Sequence, residues 1–358
     1  MPEPLPQLRP AVAALPSYIA GRRSSSPATA PLASNESHFP PLPAVLAAIT
    51  QTGARANRYP DMFSSSLTHR VAERLGVDAD QLAFGPGSVG VLSQLIGALC
   101  DPGEEVVFAW RSFEAYPILC TLAGAVPVTV PLTPDERHDL PAMLAAITER
   151  TKVVLLCSPN NPTGTSISEA ELIDFLNRVP DSVLVVLDEA YREFGPADAL
   201  NPVTLLARAP NLCLLRTFSK AYGLAGLRVG YAVAQPELAD GLRKTQVPFS
   251  VSAVAEAAAV AALDSLDEVV RRSAEVIAER ERVIAAAREL GWTVPDSAAN
   301  FFWLRADDRR RLALVEAFDA ADILVRGYPV DGVRITIADA ASNDRVLAVL
   351  AAHPEQRR

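Results

Sequence analysis

Five short apolar runs, rich in β-branched residues, constrain this chain more than anything else in it: Glu105–Ala109, Val126–Val130, Lys152–Cys157, Val183–Asp188 and Leu212–Thr217. Stretches of helical period separate most of them, among them Phe113–Ala123 and Glu169–Val179. Strands without polar alternation, set between helices, predict a mostly parallel sheet buried on both faces. Ligands on such a sheet bind beyond the carboxyl ends of the strands. The residues that follow each run are therefore the first place to look for chemistry.

Lys152–Cys157 leads into Ser158-Pro159-Asn160-Asn161-Pro162-Thr163-Gly164, a rigid turn that presents two side-chain amides. Val183–Leu187 leads into Asp188-Glu189-Ala190-Tyr191. A carboxylate at the end of a buried strand needs a partner, and a cationic ring nitrogen, a nearby arginine or water all qualify. Leu212–Thr217 leads into Phe218-Ser219-Lys220 and a glycine-rich stretch that reaches Arg228 and Gly230. Lysine stands only at 152, 220 and 244, so an amine needed for chemistry has few sources. Arg228 folded beside Lys220 would lower the amine's pKa; alternatively Ser219, Lys220 and Arg228 hold one phosphate. A further loop, Gly85-Pro86-Gly87-Ser88, opens a helical stretch over Val89–Leu99, where backbone N–H groups suit an anion.

An amine, an acid facing a ring nitrogen and donors for a phosphate are the needs of pyridoxal 5'-phosphate. Lys220, Asp188 and the Gly87-Ser88-Val89 loop supply them in turn. With these motifs go Asn35-Glu36 and Asn57-Arg58-Tyr59-Pro60-Asp61. Together they make the chain resemble fold-type I aminotransferases, in the branch of the histidinol-phosphate and aromatic amino acid enzymes, from Leu15 to about Ala338. The segment Val107–Pro117 resembles the actinobacterial aromatic (phenylalanine) type, whereas Arg216–Arg228 is shared with histidinol-phosphate enzymes. One departure is Val89-Gly90, where the family usually has an acidic or amide residue after the serine.

The resemblance implies an α/β fold: a large domain with a mostly parallel seven-stranded sheet between helices, and a smaller α+β domain. It implies that Lys220 is joined to the cofactor and shuttles a proton, and that Asp188 faces the pyridinium. Asn161 and Tyr191 would donate to the phenolic oxygen, and Phe113 would stack on the ring. Ser219 and Arg228 would hold the phosphate, helped by Gly87, Ser88 and Val89. Tyr59 would reach the cofactor of the neighbouring subunit, so a homodimer is implied. Arg334 would clamp the substrate carboxylate with Asn35 near it, while Tyr18 and Arg326 meet the distal end. A ring would pack on Tyr18 and a phosphate would pair with Arg326, so the two do not discriminate. The implied reaction moves the amino group of Phe, Tyr or Trp to 2-oxoglutarate, or the reverse; the alternative is histidinol phosphate. A decarboxylase, lyase or racemase would share the cofactor and lysine but not this carboxylate arginine. A ligand-sensing regulator would need a DNA-binding domain that the Pro-rich residues before Asn35 do not make.

At 358 residues the chain has room for two domains. The texture changes near Pro248, where helices at Val254–Leu263 and Asp267–Leu290 precede strands at Phe301–Arg305, Ile323–Arg326 and Val333–Ile337. The expected division is an arm at 1–34 joining the small domain, a large domain at 35–247 and a small domain at 248–358. A net charge of −9 with no basic stripe argues against nucleic acid as partner. No apolar run is long enough for a membrane span and no secretory signal is visible, so the cytoplasm is the expected location. The four cysteines and four histidines lack metal-ligand spacing, and no metal is expected.

Overall fold

Side chains alternate across the buried strands, and that alternation sets the layers. The structure, a computed structural model, describes residues 6–15, 21–22, 26, 28–196 and 201–356. Its strands are, in chain order, β1 (Ala30–Pro31), β2 (Leu82–Gly85), β3 (Glu105–Trp110), β4 (Val126–Pro131), β5 (Thr151–Cys157) and β6 (Leu184–Asp188). They continue with β7 (Leu212–Thr217), β8 (Gly230–Val233), β9 (Phe301–Arg305), β10 (Ile323–Leu324), β11 (Arg326–Tyr328) and β12 (Gly332–Thr336).

Seven of them form one sheet in the order β2-β8-β7-β6-β5-β3-β4. β8 runs antiparallel to both its neighbours, and every other pairing is parallel. Val153, Leu155, Val186 and Leu215 pack on one face beneath the helices Gly87–Leu99 and Ala115–Ala123. Val154, Leu156, Val185 and Leu214 pack on the other, against Phe175 of the helix Glu169–Arg178 and the alanines of the helix Ala253–Asp264. Both faces are dry, as the unbroken apolar runs require. β4 closes one edge and carries Pro127 and Pro131, which have no N–H to donate.

β11-β12-β9 form a second, antiparallel sheet. It packs with the helices Asp308–Ala320 and Ala340–Ala352 and with the later turns of Leu266–Glu289. β1 pairs with β10, and Leu32 enters this second core, so the N-terminal segment is stitched to the C-terminal part of the chain.

Three differences from the sequence reading have physical causes. The expected strand Ile323–Arg326 is two strands in different sheets, divided at Val325. β2 and β8 go unseen in the sequence because each is four residues long and one end is a glycine. The change of texture near Pro248 is alanine enrichment: Ala255, Ala258, Ala259 and Ala262 let their helix approach Pro43–Gly53 closely and lie in the large-sheet core. The two cores instead meet within Leu266–Glu289, where Val269 belongs to the first and Val276, Val283 and Ile284 to the second. No helix among the described residues is long and apolar enough to cross a membrane.

Candidate active site

One edge of the large sheet collects the polar motifs. Cys157 pairs with Asp188, Asp188 with Leu215, and Thr217 with Gly230, so the ends of β5, β6 and β7 lie level with the start of β8. Because β8 is antiparallel, Arg228 just before it returns to the same edge as Ser219 just after β7. A cavity of about 480 Å³ opens there, a size suited to a small molecule. It is closed by Ala33–Glu36 and by Arg326, Tyr328 and Arg334 of the second sheet.

Lys220 reaches into this cavity and donates to the carbonyls of Ser34 and Asn35 at 3.1 and 3.3 Å. Burial, then the charges of Arg334 and Arg228, brings its amine down to about 7. Asp188 is buried at the end of β6. Tyr116 donates to its Oδ2 at 2.7 Å and the N–H of Ala190 to its Oδ1 at 3.2 Å. Burial pushes the carboxyl up to about 6, with the Tyr116 hydrogen bond as the largest opposing influence. The pair is an amine that titrates near pH 7 and a carboxylate that a cation would readily stabilise.

Beside them lies a cradle for an anion. Gly87, at φ +78°, turns the chain from β2 into the helix Gly87–Leu99, whose first-turn N–H groups have no partner within the helix. A Cβ on Gly87 would come within 2.4 Å of Arg228 Nη2, and one on Gly230 within 2.3 Å of the Ser88 nitrogen. Backbone and guanidinium thus converge only because both residues lack side chains. Arg228 donates to Ala225 O at 2.8 Å and to Ser219 Oγ at 3.3 Å. A helix N-terminus, a hydroxyl and an arginine suit a phosphate.

Across the cavity, buried Arg334 donates to Asn161 Oδ1 and to Ala33 O, both at 2.6 Å, while its Nε finds no partner among the described residues. A guanidinium with an unused buried N–H can still take a carboxylate. Asn161 accepts from Arg334 with its oxygen, which leaves its amide hydrogens to donate elsewhere. Asn35, at φ +54°, donates to Tyr191 Oη at 3.0 Å and accepts from Thr336 Oγ1 at 3.1 Å. Tyr191 therefore keeps its own hydroxyl hydrogen for another acceptor. Phe113 lines the cavity, its ring edge-on to Tyr116 at 5.6 Å.

The structure brings together Asn35, Ser88, Val89, Phe113, Asn161, Asp188, Tyr191, Ser219, Lys220, Arg228, Arg326 and Arg334 around the one cavity, with Gly87 behind Arg228. Tyr18 lies outside the described residues. Tyr59 does not line the cavity: it is 84% exposed and stacks on Phe249 in a separate hollow. Sequence reasoning missed Tyr116, Glu114 and Tyr328. Tyr116 follows Phe113 by one helical turn, but its partner Asp188 is 72 positions away. Glu114 pairs with Arg326 at 2.7 Å across 212 positions.

A model of the aminotransferase class I and II family matches residues 29–351. The aromatic amino acid aminotransferase of Streptomyces coelicolor is 51% identical over 352 residues, 98% of each chain. That of Thermobifida fusca is 49% identical over 354 residues, again 98% of each. Among solved structures, a histidinol-phosphate aminotransferase from Sinorhizobium meliloti in complex with pyridoxal-5'-phosphate superposes with a TM-score of 0.90. It is 31% identical, with 99% of each chain covered.

Proposed function

The chain belongs to the class I and II aminotransferase family, and from that premise we propose that it moves the amino group of aromatic amino acids (Phe, Tyr, Trp) to 2-oxoglutarate, or the reverse, with pyridoxal 5'-phosphate. The observation that carries the chemistry is Lys220 and Asp188 in one cavity beside the anion cradle. The substrate class is supported by full-length relatives that bear that name and by an apolar wall that includes Phe113, Ile118, Leu119 and Tyr328. The donor set fits the cofactor: amine, buried carboxylate, and a cradle that a single Cβ would fill.

On this reading Lys220 carries the cofactor and then moves a proton to and from the substrate Cα, a task suited to an amine near neutrality. Bound, pyridoxal phosphate supplies the electron sink for the broken Cα–H bond. Asp188 would hold the proton of the ring nitrogen, and Phe113, on the cavity wall, would offer the ring an aromatic face. Asn161 and Tyr191 donate to the phenolic oxygen with the hydrogens that Arg334 and Asn35 leave unused. Ser219, Arg228, Gly87, Ser88 and Val89 hold the phosphate. Arg334 orients the α-carboxylate, with Asn35 beside it.

Tyr59, Phe63, Val247 and Phe249 leave apolar surface uncovered. We infer that a second copy covers it in a homodimer and that Tyr59 reaches the partner's phosphate. The four free, buried cysteines suit a reducing compartment and support a cytoplasmic location. The second reading, histidinol phosphate as substrate, rests on Arg326 in the wall and on the Sinorhizobium relative. The test is to follow the visible band of the lysine-bound cofactor while adding L-phenylalanine, then histidinol phosphate, with no keto acid. Loss of the band with phenylalanine supports the aromatic reading. Loss only with histidinol phosphate transfers the enzyme to the second. Cofactor-supplemented protein with no such band overturns both.

A further inference from the structure

Arg326 and Arg334 sit directly opposite each other on β11 and β12, and both line the cavity. Tyr328 lies close to both, its ring 5.6 Å from the Arg326 guanidinium and 5.7 Å from that of Arg334. Like charges opposed across a strand pair repel, and here they share a wall with the Lys220 amine. The structure answers the two cations differently. Arg334 is held by two neutral oxygens and keeps an unused buried N–H. Arg326 meets a full negative charge, the Glu114 carboxylate, at 2.7 Å. Both partners of that pair are largely shielded from solvent, at 11% and 23% side-chain exposure, so screening does little to weaken it.

We propose that Glu114 sets how strongly the site favours uncharged over acidic substrate side chains. This rests on the aminotransferase reading above and adds to it the residue that sets side-chain charge. A substrate whose α-carboxylate is gripped by Arg334 places its side chain toward Arg326. With Glu114 in place, that wall carries no net charge, and an uncharged ring meets Tyr328 and the aliphatic part of Arg326. An acidic side chain, that of glutamate or 2-oxoglutarate included, must instead compete with Glu114 for the guanidinium and is held more weakly for it, and a dianion meets twice the repulsion from the Glu114 charge. Glu36, a second acid on the cavity wall, acts in the same direction. Removing the Glu114 charge leaves net positive charge in the wall at Arg326, one strand away from Arg334.

The test measures kcat/KM of the cofactor-loaded enzyme with three amino donors that all present an α-carboxylate: L-phenylalanine, L-glutamate and L-2-amino-4-phosphonobutyrate. Glu114→Gln keeps shape and removes charge. It is expected to raise the glutamate-to-phenylalanine ratio about tenfold or more, through KM rather than kcat, and the phosphonate-to-phenylalanine ratio further. Arg326→Gln alone, with Glu114 left in the wall, is expected to lower both ratios below wild type. The double variant is expected to return near the wild-type ratios. A role confined to holding the fold would lower all three donors together and leave the ratios alone. Ratios within twofold of wild type in Glu114→Gln, or an equal rise in the double variant, overturn the proposal. If Glu114→Gln does not accumulate, an Arg326→Gln protein with unchanged ratios overturns it equally. Failure of the wild-type enzyme to use phenylalanine would count against the aromatic reading instead, while the change in the glutamate and phosphonate kcat/KM values themselves between wild type and Glu114→Gln would still decide the role of Glu114.

Discussion

Tyr116→Phe removes one hydroxyl and nothing else from the core, so its consequence can be worked through from the structure. The Tyr116 side chain is fully buried and donates to Asp188 Oδ2 at 2.7 Å. A buried hydrogen bond to a charged group contributes about 1.5–3 kcal/mol. One pKa unit corresponds to about 1.4 kcal/mol, so losing this bond moves the Asp188 titration from about 6 to roughly 7–8. The ionised fraction at pH 7 then falls from roughly nine-tenths to half or less. Only the ionised carboxylate pairs with a protonated ring nitrogen, and apparent affinity scales with the competent fraction. Cofactor binding to the apoprotein is therefore expected to weaken about two- to tenfold at pH 7. The defect should close at pH 9, where Asp188 is ionised in both proteins. Equilibrium dialysis of wild type and variant at both pH values reads the ratio directly, and the titration of Lys220 cancels because it is common to both. A defect of equal size at pH 7 and pH 9, or none at pH 7, would refute the assignment of Tyr116 as the group that keeps Asp188 charged.

Lys220→Met is expected to abolish turnover and yet to stabilise the cofactor-free protein. The native amine titrates near 7 against 10.5 for an ordinary lysine. The unfolded chain thus binds a proton that the native state releases, and the burial cost is full below pH 7 and fades as pH rises toward 10.5. A gain of about 2–4 kcal/mol at pH 7 that shrinks toward pH 10 should appear in thermal melts of the two apoproteins. Gly87→Ala places a Cβ 2.4 Å from Arg228 Nη2 at a residue with φ +78°. It should cost about 1–2 kcal/mol in backbone strain and weaken cofactor binding about tenfold or more, read by dialysis against pyridoxal phosphate. Arg334→Lys loses the planar fork and leaves the Asn161 oxygen with only the 3.5 Å hydrogen bond from Tyr328 Oη. A fall in kcat/KM for L-phenylalanine of about 10²–10³ is expected, corresponding to about 3–4 kcal/mol, measured by keto acid formation.

Much of the site was legible because its chemistry is local. Lys220, Asp188 and Asn161 each sit just past an apolar strand, and the rule that ligands gather there needs no knowledge of strand order. Lys220 stood out further because so few lysines compete for its role. Arg334 was reachable only through resemblance: nothing in its neighbourhood separates it from the other arginines until the second sheet packs it against Asn161. Tyr116 and Glu114 were not legible at all, since each acts on a residue far along the chain. Tyr59 shows the opposite limit, for its expected role needs a second chain and the structure of one leaves it on the surface.

By itself, then, the sequence determined the layered α/β architecture and the chemical inventory at the strand ends, because apolar period and turn composition act over a few residues. Only the tertiary structure decided that β8 runs backward and brings Arg228 to Ser219, and that the two hydrophobic cores meet inside one long helix rather than near Pro248. It also decided the charges. Lys220 is near neutrality and Asp188 near 6 because of burial and because of groups brought from distant parts of the chain. Desolvation and Coulomb fields depend on distance in space, which residue order does not carry.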